Sequence, residues 1–138
     1  MDPWYSPIQE ELINTNLLKS CVLVDSRGEC DCYLGSDTKL QDFLKDNTDA
    51  INLICSAFQQ DTDEYSLSQE GKKIDWLGTT FHVCYVSSSC ICAVSRRRMD
   101  GIIFNQLPFG TLVSYFSRPS TPHQLISKLY NICASFSK

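Results

Sequence analysis

No apolar run in this 138-residue sequence approaches the roughly 18 residues that a membrane-spanning helix needs. The first residues, Met1-Asp2-Pro3-Trp4-Tyr5-Ser6-Pro7, are acidic and broken by proline, unlike the basic and then apolar pattern of a secretory signal. The expectation is a cytoplasmic protein. Cations are in the minority: 12 Lys and Arg against 16 Asp and Glu leave a net charge of −4. Bulk electrostatics therefore repel nucleic acid, and the one local exception is the run Arg96-Arg97-Arg98. Internal repeats and low-complexity tracts are missing, and so are a phosphate-cradling glycine loop, H-E-x-x-H and G-x-S-x-G. His82 and Cys84 share a strand face at i, i+2, but no feature of the sequence supplies the orienting group and oxyanion site that a Cys/His pair requires. Neither catalysis nor a cofactor is expected.

What is present is globular. With 43% hydrophobic and 20% charged residues, the chain has the composition and length of one domain, residues 1–138, able to bury a core. Eight cysteines, at 21, 30, 32, 55, 84, 90, 92 and 133, fall mostly on apolar positions of predicted elements, where free thiols act as small hydrophobes. The two Cys-x-Cys pairs are too tightly spaced for the usual zinc ligation, so no metal site is expected.

Hydrophobic periodicity places a helix near each end. Ser6-Pro7-Ile8-Gln9 reads as a capping box with Ile8 and Leu12 forming a narrow stripe, and Thr121-Pro122-His123-Gln124 repeats the pattern ahead of Leu125, Leu129, Ile132, Cys133 and Phe136. Strands are predicted over 20–25 and 29–34 around a turn at Ser26-Arg27-Gly28, then a short helix over 40–44. A second inner helix, capped by Asn47 or Thr48, carries Ile51, Ile54, Cys55 and Phe58 on one face. Residues 59–71 are polar and read as a connection. Strands over 73–77, 80–86, 90–94, 102–104 and 111–116 follow, joined by turns too short for crossovers, so they pair antiparallel. The fold class is α+β: a central antiparallel sheet closed over by a helix near each end of the chain. If the end helices lie side by side, Trp4, Tyr5, Tyr33 and Tyr130 or Phe136 line a shallow aromatic groove suited to polyproline II segments.

This order of elements resembles profilin, and local motifs match as well. Trp4 stands before the first helix; Val22-Leu23-Val24-Asp25-Ser26-Arg27-Gly28 resembles the family's first strand and turn; Ser56-Ala57-Phe58 resembles its small-residue-then-Phe step. Residues 73–81 resemble its glycine hairpin, Arg96 to Ile103 its basic turn and following strand, and Leu112 to Phe116 with Pro122-His123-Gln124 its last strand and helix start. The resemblance implies that the terminal helices pack on one face of the sheet and the short helices on the other, in a monomer that binds monomeric actin through the second-half sheet and the start of the last helix. The residues it points to are Arg96, Arg97, Arg98, Arg118, His123, Gln124 and Lys128. It further implies proline-rich partners such as formins, and phosphoinositide headgroups at the basic turn. A rival reading is a dimeric scaffold of the roadblock or longin type; a thiol redox protein is a third, and it requires a cysteine of low pKa.

Overall fold

The computed structural model describes residues 5–58, 71–97 and 99–136. Seven strands form one antiparallel sheet in the order β2-β1-β7-β6-β5-β4-β3. They are β1 (Ser20–Asp25), β2 (Cys30–Leu34), β3 (Lys73–Trp76), β4 (Thr79–Val86), β5 (Cys90–Ser95), β6 (Asp100–Leu107) and β7 (Gly110–Ser117). The helices are α1 (Ser6–Ile8), which continues as a π-helical turn over Gln9–Ile13, then α2 (Lys39–Lys45), α3 (Thr48–Cys55) and α4 (Pro122–Phe136).

Alternation along the strands sorts the core into two layers. Cys21, Leu23, Cys92, Ile103, Leu112 and Phe116 face α1 and α4, meeting Ile8, Leu12, Leu125 and Leu129. Val22, Val24, Ile91, Ala93, Phe104 and Val113 face α2 and α3, meeting Leu40, Leu44, Ala50 and Ile54. The terminal helices thus lie on one face and the short helices on the other, as expected. All six residues of β1 are buried because the strand is covered on both faces.

Each turn has an identifiable cause. The Asp25 carboxylate accepts the backbone N–H groups of Arg27 and Glu29 at 2.9 and 3.0 Å, holding the β1–β2 turn closed. Leu77 and Gly78, at φ +56° and +74°, form the left-handed pair that a two-residue hairpin requires, so Leu77 belongs to the turn rather than to the strand. On β6, Gly101 pairs with Phe116, whose ring lies where a Cβ at Gly101 would stand. That contact leaves room for no larger residue.

Several local expectations are corrected. Ser6 is the first helical residue, not the cap; Tyr5 takes the cap position with no side-chain bond, and the Gln9 amide turns forward to Asn14 at 2.8 Å. At α4 half of the second box forms, with Thr121 Oγ1 accepting the Gln124 N–H at 3.4 Å. Asn47 precedes α3, but its side chain donates to the Phe43 carbonyl at 2.9 Å and so ties α3 to α2. The core side of α3 is Ala50 and Ile54, extended by Ala57 just past its end. Cys55 is exposed and Phe58 lies past the end of the helix. The strand expected over 102–104 runs over all eight residues from Asp100 to Leu107. The polar connection at 59–70 lies outside the described residues.

Candidate functional site

α4 packs on β5 and β6 and touches α1. Among the described residues no helix covers β3 and β4 on that face, and these strands carry polar side chains there. Ile74 and Trp76 point into the opposite core, which turns Lys73 and Asp75 outward; on β4, Phe81 and Val83 likewise leave Thr80 and His82 facing out. Cross-strand pairing sets Lys73 beside His82 and Asp75 beside Thr80, and Thr80 Oγ1 donates to Asp75 Oδ1 at 2.6 Å. Arg96 closes the end of this shallow cavity of about 880 Å3, which is also lined by Lys73, Asp75 and His82.

The basic turn between β5 and β6 is anchored. Arg118 donates through its guanidinium to the Arg97 carbonyl at 2.8 Å and through its backbone N–H to the Met99 carbonyl at 2.9 Å. Ser117 Oγ donates to Asp100 Oδ1 at 2.7 Å, and the Asp100 N–H donates to Ser95 Oγ at 3.1 Å. These bonds draw the turn towards the segment that leads into α4. Arg96 and Arg97 are exposed, as are His123, Gln124 and Lys128 on α4, where Gln124 and Lys128 share a flank at i, i+4. Of the residues picked out for an actin-facing surface, Arg118 is the one bonded to the basic turn, and it holds that turn in shape. Arg98 lies outside the described residues.

Of the described aromatic residues expected in a groove, Tyr33 and Tyr130 are not directed to the same place. Tyr5, 36% exposed, stands at the start of α1. Tyr33 sits on the edge strand β2 between Cys32 and Leu34, both of which face the terminal helices, so its own ring faces the other way. Lys45 of α2 stands 5.4 Å above that ring, and burial pushes the phenol pKa up. Tyr130, 60% exposed, is on the flank of α4 that meets the β4–β5 turn. Trp4 and the Phe136 side chain lie outside the described residues.

Tyr85 was missed by sequence reasoning. A β-bulge at Cys84 shifts the β4–β5 register so that Tyr85 opposes Cys92 rather than continuing on the side of Phe81 and Val83. The extra residue rotates Tyr85 onto the α4 face, where it is 39% exposed and lines a cleft with Tyr130. No sequence signal marks that bulge, because alternation alone would assign Tyr85 to the other face.

Four thiols are raised in pKa. Burial pushes Cys21, Cys90 and Cys133 up to about 12, and hydrogen bonding of Ser114 with Cys21 and of Asn105 with Cys90 offsets part of that shift. Cys55 is also raised, by burial and by the nearby Asp25 carboxylate. None of these four is poised as a nucleophile. Among the described residues no group of three His, Cys, Asp or Glu side chains is arranged to hold a metal ion. No helix among them is long and apolar enough to cross a membrane.

No family model matches this chain, and no curated protein sequence matches it. Solved structures do. LokiProfilin2, in its complex with rabbit actin, superposes with a TM-score of 0.68 over 98% of this chain and 96% of its own, at 12% identity. This chain has the profilin fold. Acanthamoeba castellanii profilin IB gives a TM-score of 0.65 over 96% of this chain and 95% of its own, again at 12% identity. MglB of Myxococcus xanthus is also similar, with a TM-score of 0.55 over 96% of this chain and 94% of its own at 9% identity. The resemblance read from the sequence therefore holds for the architecture, while identities of 9–12% leave the ligand surfaces to be argued from this chain's own residues.

Proposed function

We propose that this chain is a divergent profilin that binds monomeric actin through the uncovered face of β3 and β4, the basic turn and the start of α4. The observation that carries this reading is the match, over nearly the full length of both chains, to a profilin solved in complex with actin. The distribution of charge agrees with it. In a protein of net charge −4, Lys73 and Arg96 line this face, Arg97 follows Arg96 in the basic turn, and the Asp75 carboxylate on the same face accepts from Thr80. A cationic face on an acidic protein selects a partner with an acidic surface and speeds its approach. On this reading the protein acts in the cytoplasm on the cytoskeleton. It also binds proline-rich segments of formin-type partners, with Trp4 and Tyr5 at the terminal-helix groove, and phosphoinositide headgroups at the basic turn. Holding actin and a proline-rich tether together raises the local concentration of actin at a growing filament end.

Replacing Arg96, Arg97 and Arg98 together by Ala is expected to weaken binding of monomeric actin by about tenfold or more and to flatten its salt dependence. The measurement is the monomer affinity obtained from suppression of spontaneous actin assembly at several ionic strengths. Unchanged affinity would remove the turn from the interface.

A dimeric scaffold is the second reading, supported by the similarity to MglB. It differs from the first in mass. A monomer of 15.6 kDa in solution favours the actin-binding reading, and a stable species of twice that mass favours the scaffold.

A further inference from the structure

We propose a second site for uncharged, proline-rich segments, in the cleft between Tyr85 and Tyr130 on the flank of α4 that faces away from α1. The proposal rests on the proline-binding part of the function proposed above but assigns it a different surface. The cleft has a volume of about 470 Å3 and is built from the bulged end of β4, the β4–β5 turn and the C-terminal half of α4.

Its two sides carry tyrosine rings, and the serines of the β4–β5 turn, Ser87, Ser88 and Ser89, close one end. Tyr85 stands on one side, Ile126 and Tyr130 share a ridge of α4 at i, i+4 on the other, and Cys90 is buried beside them. Ser127 and Asn131 form the neighbouring ridge. None of the lining residues carries a formal charge, although 20% of the chain is charged. That neutrality disfavours an acidic or a basic peptide, because a charged side chain entering the cleft would lose water and find no opposite charge.

The polar groups narrow the choice further. The hydroxyls of Tyr85, Ser127 and Tyr130 and the amide of Asn131 make no hydrogen bond to other described residues, and all of them are able to donate. Ser87, by contrast, spends its hydroxyl on the turn: it accepts from the Cys90 N–H at 3.0 Å and donates to the Cys90 carbonyl at 3.2 Å. A ligand matched to this cleft presents flat apolar rings and unpaired carbonyl acceptors, with few N–H donors of its own. A polyproline II helix does so, and its fixed backbone loses little entropy on docking. The bulge at Cys84 is the device that creates the site, since without the extra residue Tyr85 would face α2 and α3.

The test uses the full chain and a fluorescently labelled ten-residue proline peptide, read by polarisation. The expected result is that Trp4→Ala protein still binds the peptide. In that background Tyr130→Ala or Tyr85→Ala should weaken binding at least about tenfold with an unchanged thermal midpoint. Tyr130→Lys, which places a charge in the cleft, should weaken it comparably. Should Tyr85→Ala fail to fold, the two Tyr130 variants decide alone. Binding by the wild type that Trp4→Ala abolishes would overturn the second site and leave the terminal-helix groove as the proline surface. Absence of binding by the wild type would overturn both, while leaving the actin assay to judge the rest of the function. Self-association that Tyr85→Ala and Tyr130→Ala relieve would show that a second copy of the chain, not proline, fills the cleft, and would also overturn the proposal.

Discussion

Raising the pH from 8 to about 10.5 should destabilise this protein far more steeply than an ordinary domain of its size, because three thiols are buried in the layer beneath α1 and α4. Cys21, Cys90 and Cys133 are each about 7% exposed or less, and burial pushes each of them from the ordinary thiol value of 9.0 to about 12 in the folded chain. Below pH 9 all three are protonated in both the folded and the unfolded states, so folding stability is fully present. Between 9 and about 12 the unfolded chain loses these protons and the folded chain keeps them. The folded state then binds more protons, and stability falls as pH rises. Each group contributes a slope of about 1.4 kcal/mol per pH unit, so three together approach about 4 kcal/mol per unit against a total stability of about 5–15 kcal/mol. Urea midpoints measured across this range should collapse, and Cys133→Ala should reduce the slope by about a third. Midpoints that stay flat to pH 10 would refute the argument.

The same cysteines show how far the sequence could be read. Their placement on apolar strand positions was legible at Cys21, Cys90 and Cys92, because burial on a covered strand follows from alternation. Cys55 reads as a core position by helical spacing but is exposed, since α3 ends there and meets the sheet through Ala50 and Ile54. Antiparallel pairing of successive strands followed from short turns, which are local, whereas the pairing of β1 with β7 that sets the strand order joins distant parts of the chain and had no local signal. The orientation of individual rings was harder to read, because it depends on which flank or face each takes. Tyr33 lies between Cys32 and Leu34 and pairs with Val22, so it faces α2, and the β1–β2 bulge brings Cys30 to that side as well; Tyr85 is turned towards α4 by the other bulge. One inserted residue reverses every later side chain on a strand, and nothing in composition announces it. The cap at Ser6 failed for a related reason: the first turn continues into a π-helical segment, and Gln9 is drawn forward to Asn14. The local settings of Arg96 and Arg97 in a turn and of His123 and Gln124 at a helix start were legible, since polar runs and proline mark such places clearly.

Phe104→Ala is expected to cost about 3–5 kcal/mol, the range for deleting a wholly buried aromatic side chain. Phe104 sits on β6, opposite Ile91 on β5 and Val113 on β7, with no exposed surface. Its ring meets Trp76 edge-on at 5.6 Å, and Trp76 in turn lies 5.4 Å from Phe43 of α2. This run of three rings links a central strand to the edge strand β3 and to the opposite helical layer, and each contact adds about 0.5–1.5 kcal/mol beyond area burial. Removing the middle of the sheet's contribution should therefore act at its edge. Trp76 and Ile74 are the buried side chains that hold β3 in place, and the same strand presents Lys73 and Asp75 to the uncovered face. In Phe104→Ala, amide exchange should quicken in β3 and β4 more than in β1 and β7, and binding at the Lys73–His82 face should weaken even at temperatures where the protein remains folded. Phe104→Leu, which keeps most of the volume, should recover most of the stability and slow that exchange again. A uniform rise in exchange across all seven strands would mean that β3 is held by something other than this aromatic chain.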